Sequence, residues 1–310
     1  MLAGRRAQPQ CKPLHARVKL LAQILLARAN ALKHDRQQAE ALYERSLALA
    51  QRIGLTDLTF ELYDAMAVIA ARQGNLTRAN ELNGCALQLA QTLSNLPDAE
   101  QRRKIGTALA IWSAHAFFQA EPEQSKTLAQ QALSLLDPVK DSFLYINTNG
   151  VLGGVAMLTG NLEHAQTLFT YCYTYFCEID DITTSIFYRW HLGILALRCG
   201  DWPLAQIVFI ENLTWLQSHS KDYDMFVHNL HGLAEVARQQ TRYEVAAKLL
   251  GAVTIICNTI KYVVLPLYRP DFEATIVATS AQLEPDIFAA AYAEGYAMSL
   301  EQAVLFALAS

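Results

Sequence analysis

Apolar residues recur at helical spacing along most of the chain, and alternation of apolar and polar positions never persists. One stretch, VTIICNTIKYVV (253–264), tempts a strand assignment. The pattern also repeats. GNLTRANEL (74–82), GNLEHAQTL (160–168), GDWPLAQIV (200–208) and TRYEVAAKL (241–249) align, with weaker copies in HDRQQAEAL (34–42) and AEPEQSKTL (120–128). A small residue anchors each copy: Ala39, Ala79, Ser125, Ala165, Ala205 and Ala246, spaced by 40, 46, 40, 40 and 41 residues. Twelve residues before each anchor stands another small residue: Ala27, Ala67, Ser113, Gly153, Gly193 and Ala234. The position before that is large and apolar: Leu26, Met66, Trp112, Leu152, Leu192 and Leu233.

This register predicts helical hairpins. Gly74, Gly160 and Gly200 fall where a first helix must end, and glycine tolerates the left-handed cap. Asn75, Asn161 and Asp201 are placed to cap the second helix. The two small positions let the paired helices approach closely at Ala67/Ala79, Gly153/Ala165, Gly193/Ala205 and Ala234/Ala246. The longest interval contains SNLPDAEQRRK (94–104), read as an extended loop. The expected fold is all-α: a right-handed superhelix of about six hairpins over 1–264, continuous with a C-terminal helical cap over 265–310.

Composition narrows the function. Of 310 residues, 52% are hydrophobic and 17% charged, a balance that buries a large core. The net charge of -4 gives no basic excess for direct nucleic-acid binding, and the clusters Arg5-Arg6 and Arg102-Arg103-Lys104 are short. No uncharged apolar run approaches the ~18 residues of a membrane span. The N-terminal stretch superficially resembles a signal peptide, but Lys19, Gln23 and Arg28 interrupt it, so it reads as an amphipathic first helix. Six scattered cysteines suggest reduced, cytoplasmic usage.

The large-then-small pair and the anchor alanine resemble the tetratricopeptide motif, lengthened to about forty residues as in bacterial regulator superhelices. The end of the chain resembles the terminal segment of LuxR-type and related nucleotide-binding bacterial regulators. The matching residues are Leu249-Leu250-Gly251-Ala252, Leu265-Pro266, Tyr268, Leu283, Phe288, Ala290, Ala293-Glu294-Gly295 and Met298 to Ala303. In that segment Ser299 and Gln302 form a capping box, Gly295 is read as a turn between two short helices, and Pro285-Asp286 start a helix. The resemblance implies a sensor or interaction module of a signalling or transcriptional regulator. No GxxxxGK[ST] phosphate loop and no helix-turn-helix are found in this chain. It then reads as a separated sensor portion, a truncated relative or a stand-alone scaffold.

No oriented nucleophile–base pair stands out, so an enzyme using the groove is the distant alternative, and no cofactor or metal is expected. His228, His231 and Glu235 lie on one helical face but lack a companion cluster at zinc spacing. Gly150 and Gly154, inside a predicted helix, imply either close helix packing or close approach of a ligand. In the resembled family, concave-face residues of the first helices contact ligand. Carried over by repeat position, these are Glu61, Asp64 and Arg72; Asn147; Trp190, His191 and Arg198; and His228, His231, Glu235 and Arg238. Trp190, Arg198, His231 and Arg238 share a phase and are expected to line one pocket for a small polar ligand, or for a protein or peptide partner. On that reading Trp190→Ala weakens binding but spares the fold.

Overall fold

The computed structural model describes residues 11–32, 36–93, 97–219 and 223–310, with the side chains of 11–14, 29–32, 36, 37 and 72 outside it. Among the described residues the fold is all-α, with fifteen helices packed in consecutive pairs and no strand. Contacts gather the chain into two compact units, one ending at Ile111 and one beginning at Trp112.

The first unit holds α1 (Cys11–Leu32), α2 (Arg36–Arg52), α3 (Thr56–Arg72), α4 (Leu76–Thr92) and the start of α5 (Asp98–Phe118). Its core runs through Leu20, Ile24, Tyr43, Leu62, Met66 and Leu82. The second unit continues with α6 (Pro122–Leu133), α7 (Ser142–Leu158), α8 (Leu162–Glu178), α9 (Ile182–Arg198) and α10 (Trp202–His219). It closes with α11 (Tyr223–Gln239), α12 (Tyr243–Ile260), α13 (Arg269–Ser280), α14 (Pro285–Tyr296) and α15 (Leu300–Ala309).

Five hairpins turn on one left-handed residue five places before the anchor, while the same position in the first hairpin lies outside the described residues. Gly74, Gly160 and Gly200 take φ of 77, 83 and 78°, and the same position holds Ala120 at 61° and Thr241 at 60°. The next amide then reaches back to the carbonyl of Ala70, Ala116, Ala156, Ala196 or Ala237, at 2.8–3.0 Å. This six-to-one bond satisfies a carbonyl the helix end would otherwise orphan. All five acceptors are alanines nine places before the anchor, a repeated position that the alignment alone did not single out. Asn75, Asn161 and Asp201 accept from Arg78, His164 and Leu204 amides at 3.1–3.2 Å, capping the following helix as expected.

The anchors Ala39, Ala79, Ser125, Ala165, Ala205 and Ala246 all have 0% exposure. Ser125 shows the crossing directly, because its hydroxyl donates to the Ser113 carbonyl at 2.9 Å. A methyl built on Gly193 would meet the Phe209 ring at 2.7 Å and Val208 at 3.0 Å.

Three local expectations are corrected. Of the expected loop over 94–104, residues 94–96 lie outside the described residues and 98–104 are helical: Asp98 and Glu100 favour the positive end of α5, a helix of 21 residues. Residues 253–260 belong to α12, which stops at Lys261 in the left-handed region, φ 53°. Gly295 makes no turn. It lies inside α14 because that helix crosses α12 backbone to backbone, where a Cβ would overlap the Lys248 carbonyl. Gly251 faces the Tyr292 carbonyl in the same way. Helix α15 opens with the expected capping box, Ser299 and Gln302 bonding each other's backbone, and packs on α10, α11 and α12.

Among the described residues one helix, α12, is long and apolar enough to cross a membrane by length and composition. Its Leu249, Leu250, Val253 and Ile256 are buried within the second unit.

Gly193→Leu should destabilise the protein by about 1–3 kcal/mol, the usual cost of overpacking, as read by urea denaturation. Gly295→Ala should cost more than Gly193→Ala, because a backbone carbonyl cannot swing aside as a ring can. Deleting residues 285–310 uncovers Leu249 and Val253, and light scattering should then show association.

Candidate functional site

The repeat register places Trp190 and His191 on α9 and His228 and His231 on α11, all on faces expected to line an open groove. The chain itself covers that face. After Lys261 the backbone leaves α12, and Leu267 N–H donates to the Phe118 carbonyl at 3.3 Å. The Tyr268 ring centroid then lies 5.3 Å from Trp190 and 4.8 Å from His228. Phe272 stacks on His231 at 3.8 Å with the planes 6° apart. Trp190, His191, His228 and His231 are consequently 4, 1, 6 and 7% exposed. Trp190, His191 and His228 are core residues, which corrects their assignment to a ligand-facing wall. Helical phase did not reveal that residues 262–275 fold over them.

Burial sets the electrostatics of this cluster. Loss of hydration lowers the His191 and His231 imidazoles to about 4 and that of His228 to about 3, so all three are neutral. His115, buried elsewhere in the unit, is lowered to about 4 for the same reason. His191 Nδ1 lies 3.0 Å from the Phe187 carbonyl, and His228 Nε2 lies 2.9 Å from the Tyr262 hydroxyl. Trp190 Nε1, His228 Nδ1, His231 Nε2 and the Tyr268 hydroxyl are buried without a hydrogen-bond partner among the described residues. Residues 262–275 are therefore held on α9 and α11 more by aromatic packing than by polar pairing.

Beside this seal a cleft of about 420 Å³ stays open between α9, α11 and α13. Arg198, His231, Glu235 and Arg238 reach it, so four of the expected residues do converge. Asp271 and Thr275 from α13 join them, and sequence reasoning missed both, because residues 265–310 were read only as an end cap. Glu235 is the hub. It accepts from Arg238 Nε at 2.8 Å and Nη2 at 2.5 Å, from Gln239 at 2.9 Å and from Thr275 at 3.2 Å. Burial alone would raise its carboxyl, but these donors outweigh it and leave it below the usual range. The Glu235–Arg238 pair is thus fixed. Arg198 is looser. Its Nη1 donates to the Met157 carbonyl at 3.2 Å, while Nη2 lies 3.7 Å from a largely exposed Asp271 carboxylate. The cleft therefore offers one locked charge pair and one that can open toward a ligand.

The remaining residues fall elsewhere. Glu61 and Asp64 lie on α3 in the first unit with Arg28, whose guanidinium is 3.9 Å from Glu61. Partial burial pushes the Asp64 carboxyl up to about 6; Arg28 opposes this and Glu61 adds to it. The Arg72 side chain lies outside the described residues. Asn147 on α7 accepts from the Tyr188 hydroxyl at 2.9 Å and donates to the Phe143 carbonyl at 2.8 Å, so it positions a core tyrosine. Gly150 and Gly154 leave room for the Tyr188 and Phe117 rings, which decides for close packing over ligand approach. His228, His231 and Glu235 do not converge as a metal site: the two imidazoles face aromatic rings, and Glu235 faces Arg238.

No protein-family profile matches this chain, and no curated protein matches it.

Two outcomes follow from the burial. Below pH 6.5 the unfolded chain takes up protons that the four buried imidazoles refuse while folded, so stability falls as pH drops from about 6.5 toward 4. Each contributes a slope of up to about 1.4 kcal/mol per pH unit in that window. Asp64 acts with the opposite sign: its raised pKa adds stability as pH falls through about 6. Thermal melts between pH 7.5 and 5 should show the net loss, and His228→Gln should flatten the slope. Trp190→Ala should now destabilise the fold by about 3–5 kcal/mol, measured by denaturant titration, as for any large core truncation.

Proposed function

We propose that this chain is a ligand-sensing interaction module, built as a tetratricopeptide-like array of six hairpins of about forty residues in a right-handed superhelix. The repeated left-handed turn and the fully buried anchors support the repeat reading. The proposed setting is the sensor portion of a cytoplasmic bacterial signalling or transcriptional regulator, with the ATPase and DNA-binding functions carried outside this chain. It rests on the terminal motif from Leu249 to Ala303. In this reading the module binds and does not catalyse.

One observation carries the ligand assignment: the cleft between α9, α11 and α13 presents Arg198 and Asp271 as a loose charge pair beside the fixed Glu235–Arg238 pair. A small zwitterionic or polar molecule suits it. Its anionic end would take Arg198, whose guanidinium forms forked hydrogen bonds, and its cationic or donor end would take Asp271. The scaffold alternative is less well supported in this unit, because residues 262–275 occupy the face over α9 and α11 where an extended peptide would lie.

Thermal-shift screening with amino acids, dicarboxylates and short polar metabolites tests this. A ligand present at a hundred times its Kd stabilises by about 2.7 kcal/mol, a clear rise in melting temperature. Arg198→Ala should weaken binding about tenfold or more while leaving the unliganded melting temperature nearly unchanged, because Arg198 is partly exposed. A stabilising ligand indifferent to Arg198→Ala would place the site elsewhere.

A further inference from the structure

The opening hairpin of the first unit departs from its copies. In the other described hairpins the large apolar position thirteen before the anchor is covered: Met66 is 3% exposed and Leu233 5%, and Trp112, Leu152 and Leu192 are partly buried. A preceding helix packs against the helices that carry Met66, Leu152, Leu192 and Leu233. In α1 the equivalent residue, Leu26, is 52% exposed. Leu25 is 64% exposed, Leu21 53% and Val18 58%. The other hairpins show the shape that covers this position, a helix laid along the one that carries it.

Charge supplies its chemistry. Helix α1 contains no Asp or Glu. Beside its apolar stripe a cleft of about 610 Å³ opens between α1 and α2, lined by His15, Lys19, Gln23, Arg45 and Arg52 with no carboxylate among the lining residues. Lys19, Arg45 and Arg52 form no ion pair among the described residues, unlike Arg28, which faces Glu61. Gln23 Oε1 is buried in the same cleft without a hydrogen-bond partner.

We propose that α1 and α2 form a docking surface for an acidic amphipathic helix of a partner protein, its apolar face on Val18, Leu21, Leu25 and Leu26 and its carboxylates beside Lys19, Arg45 and Arg52. A second copy fits poorly, because a two-fold contact would bring like charges together. Residues 1–10 carry Arg5 and Arg6 and no carboxylate, so they do not complement the cleft. A flat bilayer cannot follow cations into a concavity, whereas a helix about 10 Å across can. This surface lies in the first unit and does not depend on the polar-ligand cleft of the second.

The test uses the full chain and a fluorescein-labelled 18-residue peptide with leucine at i, i+3, i+4 and i+7 and glutamate at most other positions. Fluorescence anisotropy should show saturable binding, and a peptide with lysine in place of glutamate should not bind. Lys19→Glu with Arg45→Glu should weaken binding about tenfold or more, as loss of opposed charges at an interface does. Leu21→Ser with Leu25→Ser should weaken it comparably, with helicity by circular dichroism unchanged in both variants. Absent binding, or binding indifferent to both variants, overturns the proposal. So does dimerisation abolished by Leu21→Ser, or preferential binding to phosphatidylglycerol vesicles. Binding that emerges only after residues 2–10 are deleted would make the chain's own N-terminus the occupant, which also overturns it.

Discussion

The architecture depends on how closely two helices approach within a hairpin. An anchor side chain no larger than Ser or Ala, fully buried in every copy, sets that approach. The Ser125 bond to the Ser113 carbonyl shows that at such a spacing a hydroxyl reaches the opposing backbone directly. The left-handed turn then fixes where the second helix starts, because the residue after it, such as Asn161, both donates the six-to-one bond and accepts the cap bond. The geometry is strong enough to hold Ala120 and Thr241 at positive φ, where side chains are disfavoured. The burial of Phe209 against Gly193 and the faces on which α9 and α11 meet the returning chain are consequences of this spacing.

Much of this was legible in the sequence because it is local. Gly74, Gly160 and Gly200 and their capping neighbours act within about one turn of where they stand, and the anchors act within one hairpin. The misread features are long-range. Gly295 looked like a turn because glycine is ambiguous between backbone freedom and close approach, and only the position of Lys248 resolves it. Trp190 and His228 have the phase of groove residues, but phase says which way a side chain points and not what lies there. Their neighbours Tyr262, Tyr268 and Phe272 come from 34 or more residues later, where no repeat sets the path. Arg198, His231, Glu235 and Arg238 were found at the cleft because that edge of the face is left open.

Within the cleft, Glu235 joins two kinds of order. Its bonds to Arg238 and Gln239 are internal to α11, while its bond from Thr275 ties α13 to that helix. The same α13 carries Phe272 into the aromatic seal and Asp271 toward Arg198. Polar contacts at the cleft and apolar contacts beneath it thus share one short helix.

The close backbone crossing of α12 and α14, Gly251 against Tyr292 and Gly295 against Lys248, also bears on how such a chain can grow. Repeat arrays lengthen by duplication when each hairpin offers its successor the same face. Helix α14 meets α12 too closely for any side chain to stand between them at the crossing. A duplicated hairpin placed after α12 would have to displace that contact and would find glycines where a repeat needs side chains to grip. Insertions earlier in the array preserve the crossing, so length variation among relatives should be confined to the N-terminal side of residue 243.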